Sequence, residues 1–287
     1  MTPGIQEFFD SDSNTYSYVV YCQNTKKAAV IDPVLNFDAA AGRTHTSGVS
    51  QIIAYLELQQ LSLVWILETH VHADHLSAAP YLKQHCGGMT AIGCHITQVQ
   101  QVFAEVFNAE PEFSRDGSQF DRLLADNEQL QLGELTIEVL HTPGHTPACV
   151  SYLIGDAVFV GDTLFMPDYG SARCDFPGGS AEILYQSAQR LFKLPENTRM
   201  FLCHDYKATG RDQFCYMTTI GAQIKGNIHL HHGISQAEFV SMRTQRDATL
   251  SMPKLMLPAV QVNMRAGEFP KAEDNGVQYL KLPLNRF

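Results

Sequence analysis

Basic side chains are in the minority in this 287-residue chain: 20 Lys and Arg stand against 30 Asp and Glu, a formal net charge of −10. A nucleic-acid surface needs a basic footprint, so that class of partner is excluded. The acidity is read as a source of solubility. No apolar run is long enough to span a bilayer, which excludes a membrane-crossing helix and a membrane partner. The opening residues, Met1-Thr2-Pro3-Gly4-Ile5-Gln6-Glu7-Phe8, lack a basic stretch followed by an apolar one, so no secretory signal is expected. The seven cysteines are odd in number and form no Cys-x-x-Cys pair. That argues against a disulfide framework or a thiolate zinc knuckle and suits a reducing, cytoplasmic setting. Cys94, Cys149 and Cys203 are read as small buried hydrophobes. Low-complexity segments, linkers and short repeats are also missing, and the length suits one large domain or two modest ones.

The apolar residues that are present fall into two β-rich halves. Alternating or continuous apolar runs predict strands over 16–21, 28–31, 63–67 and 90–92, then over 130–132, 135–140, 150–154, 157–160 and 200–202. Helical spacing is read over 49–60, 73–84, 99–107, 181–191, 212–225 and 235–246, while the segment from 252 onward shows no strong periodicity. Two β-rich halves flanked by helices predict an α/β fold, a four-layer helix/sheet/sheet/helix (αββα) sandwich. We expect residues 1–206 to form the catalytic domain and 207–287 a C-terminal helical extension packed on the same domain.

The chemistry concentrates in His70-Val71-His72-Ala73-Asp74-His75, directly after an apolar strand-like run. Three later segments add donors: Thr142-Pro143-Gly144-His145, Gly161-Asp162-Thr163 and Cys203-His204-Asp205. Imidazole nitrogen and carboxylate oxygen suit a first-row divalent metal. Each candidate lies where a predicted strand ends, so a rigid sheet can hold side chains that loops carry. Other clusters are discounted. Ile228-His229-Leu230-His231-His232 lacks a carboxylate and is read as surface or interface histidine. His141 is read as a residue bonded to backbone beside His145. The 243–246 stretch is read as a solvated helix face that could border a substrate pocket.

These segments resemble the metallo-β-lactamase superfamily, whose His-x-His-x-Asp-His signature, lone His, bridging Asp and final His match His70/His72/Asp74/His75, His145, Asp162 and His204. The resemblance spans about residues 14 to 206 and implies the αββα sandwich with a metal at one edge of its sheets. Within the superfamily, Thr69 to Ala79, Gly161-Asp162-Thr163-Leu164-Phe165, Ala172-Arg173-Cys174-Asp175-Phe176, Cys203-His204-Asp205-Tyr206 and Gln261 to Gly267 resemble the persulfide dioxygenase branch, in detail its Blh-like bacterial group associated with sulfide detoxification. The rival is a glyoxalase II-like thioester hydrolase with two zinc ions. Such enzymes usually carry Gly-Arg-Phe-Phe-Glu-Gly where this chain has 171–176, and His-Glu-Tyr-Thr where it has His204-Asp205-Tyr206-Lys207.

The dioxygenase resemblance implies one Fe(II) per chain held by His70, His145 and Asp162. Two imidazoles and one carboxylate on one face leave positions open on the other. It implies oxidation of glutathione persulfide by O2 and water to sulfite and glutathione. His72, Asp74, His75 and His204 would orient the ligands; in a dinuclear hydrolase they would bind metal directly. Arg173 is assigned to a glutathione carboxylate, with a plain salt bridge equally open. Tyr206 carries over as a hydrogen-bond donor on the substrate or oxygen side. Asp175 is read as holding a ligand histidine or Arg173, or as capping a turn. A homo-oligomer is left open.

Overall fold

The computed structural model describes residues 1–286. Two six-stranded sheets lie face to face. The first runs in the order Gly4–Asp10, Thr15–Tyr21, Lys27–Ile31, Ser62–Leu67, Met89–Gly93 and Arg122–Leu124. The second runs Gln129–Leu132, Leu135–His141, Val150–Ile154, Ala157–Phe159, Arg199–Phe201 and Met217–Thr219. Side chains alternate along each strand. Tyr18, Val20, Ala29, Ile31, Trp65 and Leu67 of the first sheet therefore meet Ile137, Val139, Tyr152 and Phe159 of the second in the central core. Val19, Val30 and Ile66 point the other way, under helices Ser47–Leu58 and Ala79–Cys86. On the far side, Val158, Val160 and Met200 are covered by Leu184 of helix Ala181–Leu191 and Phe239 of helix Gln236–Asp247. The layering is the αββα sandwich. Among the described residues no helix is long and apolar enough to cross a membrane.

Several elements differ from the sequence reading, each for a local reason. The expected helix from 73 begins only at Ala79, with Pro80 in its first turn, where the missing N–H costs nothing. Before it, Leu76–Ser77 pairs with Val34–Leu35 of strand Val34–Asp38, which also pairs with Arg43–His45. The expected helix over 212–225 is instead strand Met217–Thr219 followed by helix Ile220–Gly226, whose Ala222 N–H bonds the Thr219 hydroxyl. Gly4–Asp10 is a strand that the alternation did not reveal; it pairs residue for residue with Thr15–Tyr21. Past residue 252 a helix does form, Met256–Asn263, with Pro258 tolerated in its first turn. Cys149 and Cys203 are buried as read, whereas Cys94 is only half-buried.

Arg243 is a correction: it lies within a helix read as solvated, but its guanidinium is 1% exposed. It pairs with Asp247 at 2.6 Å and donates to the Ser171 carbonyl, while Asp247 also accepts the Cys174 N–H. This pair fastens the helix to the 171–174 segment. Removing one partner strands a buried charge, which costs about 3–5 kcal/mol. Asp247→Ala should therefore lower the unfolding free energy measured in urea by that much; a change below about 1 kcal/mol would contradict the fastening role.

Candidate metal centre

Four strands deliver the donors to one edge of the sandwich. His70 follows Ser62–Leu67, His145 follows Leu135–His141, Asp162 follows Ala157–Phe159 and His204 follows Arg199–Phe201. The sheets are stitched together there by Tyr16 N–H to the Cys203 carbonyl and Val150 N–H to the Thr69 carbonyl. Gly161 makes the approach of Asp162 possible. Its φ is +51°, and a Cβ there would lie 2.6 Å from the Thr69 hydroxyl.

Asp162 Oδ2 lies 3.8 Å from His70 Nε2 and 3.7 Å from His145 Nε2, and the three donor atoms fall within 4.8 Å of one another. Those separations are too long for hydrogen bonds and suit atoms that share one ion. A second group of donors, on His72, Asp74 and His75, is equally tight. His204 stands between the two groups, its Nε2 3.0 Å from Asp74 Oδ2 and 3.3 Å from Asp162 Oδ1. His72 Nδ1, His75 Nε2, His204 Nε2, Asp74 Oδ2 and Asp162 Oδ1 are all buried without a well-directed hydrogen bond. Buried polar atoms are rarely left so. Their convergence fits a bound cation.

Each imidazole is oriented through its other nitrogen. Thr69 donates its hydroxyl to Asp32, so that oxygen accepts from His70 Nδ1 at 3.0 Å and leaves Nε2 free for the site. His75 Nδ1 donates to the Leu76 carbonyl, His145 Nδ1 to the Arg173 carbonyl at 2.8 Å and His204 Nδ1 to the Asn14 carbonyl. His72 is reversed: its Nε2 lies 2.9 Å from Asp32, and its Nδ1 is the buried nitrogen left without a partner. Burial and the crowd of neighbouring imidazoles hold His70 well below its ordinary range, and His75 falls to about 4. Burial also opposes charge on His72 and His204, but Asp32 lifts the first to about 9, and Asp162 with Asp74 lifts the second to about 10. The carboxylates thus retain positive charge at the centre in the form of protons, a role a divalent cation fills when bound.

Asp74, His145 and Asp162 line an open cavity of about 940 Å³. Tyr206 is 41% exposed on its wall, lying parallel to the His204 ring at 5.7 Å and packing against Phe165 and Tyr169. Arg173 also lines the cavity, but its guanidinium is held by both oxygens of Asp175 at 2.6 Å and by the Ser251 carbonyl. Asp175 thus holds Arg173 and makes no bond to a ligand histidine. Arg173 reaches the centre through its own carbonyl, which steers His145. His141 bonds the Pro147 carbonyl, as read. His229, read as a surface or interface residue, is 7% exposed and accepts the Ser171 N–H.

The sequence reading passed over Asp32, Thr69 and Glu68. Asp32 ends an apolar strand in Ile31-Asp32-Pro33, the same placement that marked the donors. Glu68, raised to about 8 by burial and by Asp32, accepts the Ser77 hydroxyl.

A family model described as the metallo-beta-lactamase superfamily matches residues 11–204. The chain is 53% identical to a probable metallo-hydrolase of Burkholderia pseudomallei, over 98% of this chain and 99% of that one. It is 50% identical to Glyoxylase B2 of Dictyostelium discoideum, over 98% and 97%. It is 28% identical to the mitochondrial persulfide dioxygenase ETHE1 of Bos taurus, over 92% and 88%. Among solved structures, ETHE1 from Myxococcus xanthus superposes with a TM-score of 0.73 at 31% identity, covering 92% of this chain and all of that one. The order of the donor segments, the edge of the sandwich they share and this match over most of the chain agree: the protein belongs to the metallo-β-lactamase superfamily.

Proposed function

We propose that the protein is an iron-dependent persulfide dioxygenase, in which glutathione persulfide, O2 and water give glutathione and sulfite. The carrying observation is the grouping of donors. His70, His145 and Asp162 converge as two imidazoles and one carboxylate, while His72, drawn to Asp32, falls outside that group. This donor set is that of non-heme iron oxygenases. The likeness to ETHE1 proteins supports the same reading. When bound, iron supplies the electron transfer to dioxygen that side chains cannot.

The chain's own residues do the rest. The sulfane sulfur is oxidised to sulfite with O2 as acceptor, and the glutathione sulfur leaves as thiol. His145 is kept in line by the Arg173 carbonyl. Asp74 Oδ2 and His204 Nε2, 3.0 Å apart, can orient the water that adds. Tyr206, on the cavity wall beside His204, offers its hydroxyl to the persulfide. Phe165 and Phe176 line the same cavity and keep bulk water from the sulfur.

Glutathione carries two carboxylates. With Arg173 and Arg243 already paired, Arg246 and Lys254 are the cavity's exposed cations that no carboxylate engages among the described residues. We therefore assign carboxylate recognition to these two and a steering role to Arg173. Arg246→Gln with Lys254→Gln should raise KM for glutathione persulfide roughly tenfold with kcat unchanged, the worth of two exposed ion pairs. An unchanged KM refutes the assignment.

One alternative has its own support. The His72, Asp74 and His75 group could hold a second ion, and Glyoxylase B2 is among the similar proteins, so a dinuclear zinc thioester hydrolase is the second reading. Oxygen consumption separates them. Protein loaded with Fe(II) without air should take up O2 on addition of glutathione persulfide and form sulfite in proportion. Absence of uptake, with thioester cleavage by the zinc-loaded protein, overturns the dioxygenase. Metal content separates them too. Asp162→Ala should abolish iron retention and Asp74→Ala should leave most iron bound with lower turnover; equal loss in both contradicts a single-ion site.

A further inference from the structure

Residues 71–75 carry three donor side chains yet belong to no helix or strand, so their carbonyls have no ladder partner. Two of those carbonyls are satisfied by one side chain from the far end of the chain. Asn263 Nδ2 donates to the His72 carbonyl at 2.9 Å and to the His75 carbonyl at 2.7 Å. Asn263 Oδ1 accepts the Ser77 N–H at 2.8 Å. A carboxamide offers two N–H donors and one oxygen, and here all three are spent on residues 72–77. The residue is 5% exposed, so water is no substitute.

The helix that carries it is itself anchored. Ala259 and Val262 pack with Leu76, Ala78 and Ala79, while Met256 and Val260 pack with Val71. Gln100 donates to the Met264 carbonyl just past the helix end. A second close approach follows at Gly267. Its φ is +88°, and a Cβ there would lie 3.0 Å from the Ser77 carbonyl and 2.6 Å from Pro80. The family match stops at residue 204, so Asn263 itself lies outside the matched segment while the residues it holds lie within it.

We propose that Asn263 is a positioning residue of the metal centre: its amide holds the backbone of His72 and His75 so that their imidazoles and the Asp74 carboxylate face the ion. The C-terminal helix is then part of the site. The inference rests on the metal centre: beside a single ion on His70, His145 and Asp162, Asn263 aligns the groups next to it, and in a dinuclear centre it aligns ligands of the second ion, where its loss would weaken retention more. No other side chain reproduces the contacts: aspartate keeps the acceptor but loses both donors, and alanine loses all three.

The test uses cobalt(II) as the probe, with retention against a chelator, the visible spectrum and the thermal midpoint as readouts. Asn263→Ala and Asn263→Asp should both release cobalt up to about 10-fold more readily, the low end of the effect of losing an orienting group, because His72, Asp74 and His75 border the ion that His70, His145 and Asp162 hold. Both should also shift its visible bands. Val262→Ala removes buried methyl groups from the same helix, and should lower the midpoint while leaving retention and spectrum unchanged. Wild-type retention in Asn263→Asp would overturn the role of the donors. Equal retention in Asn263→Ala and Val262→Ala at matched loss of stability would reduce Asn263 to a structural contact. Neither readout involves persulfide or oxygen, so failure of the dioxygenase reading leaves this result interpretable.

Discussion

One buried carboxylate holds the centre in place. Asp32, 2% exposed, accepts the Thr69 N–H at 2.7 Å, the Thr69 hydroxyl at 2.8 Å and the Cys203 thiol at 3.7 Å, and meets His72 Nε2 at 2.9 Å. These groups arrive from both sheets: Thr69 and His72 follow Ser62–Leu67, and Cys203 follows Arg199–Phe201. A buried carboxylate without such partners would be costly. Burial works against its charge, but His72 and the Thr69 donors hold it below the usual carboxylate range. Two imidazole orientations then depend on it. His70 is aimed through Thr69, and His72 is turned outright.

The same logic governs the charge of the site. Several buried imidazoles cannot all be protonated together, and the shifts divide them. Those beside carboxylates retain a proton, and those among other imidazoles give it up. Neutral nitrogens and ionised oxygens facing one another form a receptor for a cation. Cys203 lies near His72 and His204, but burial and Asp32 keep its thiol well above the ordinary range. The donor set is therefore nitrogen and oxygen, which suits iron or zinc held without thiolate.

Much of this was legible because strands and donors are local signals. The continuous apolar run ending at Leu67 and the histidines after it mark both a buried strand and a site. Apolar spacing likewise marked helix Ala181–Leu191. What escaped was set by partners distant in sequence. Nothing local says that residues 73–78 are not helical; Asn263 and strand Val34–Asp38 decide that. Arg243 has a solvated helix's sequence and a buried ion pair's surroundings, because Asp247 and the Ser171 carbonyl meet it there. For Arg173 the sequence leaves a glutathione carboxylate and a salt bridge equally open, and in the fold Asp175 takes both sides of its fork.

The central claim is that one ion sits among His70, His145 and Asp162. Anomalous diffraction from a crystal loaded with iron under anaerobic conditions tests it most directly. The account predicts a single peak within bonding distance of His70 Nε2, His145 Nε2 and an Asp162 oxygen. Two peaks, with the second at the His72, Asp74 and His75 group, would contradict it and make the centre that of a dinuclear hydrolase.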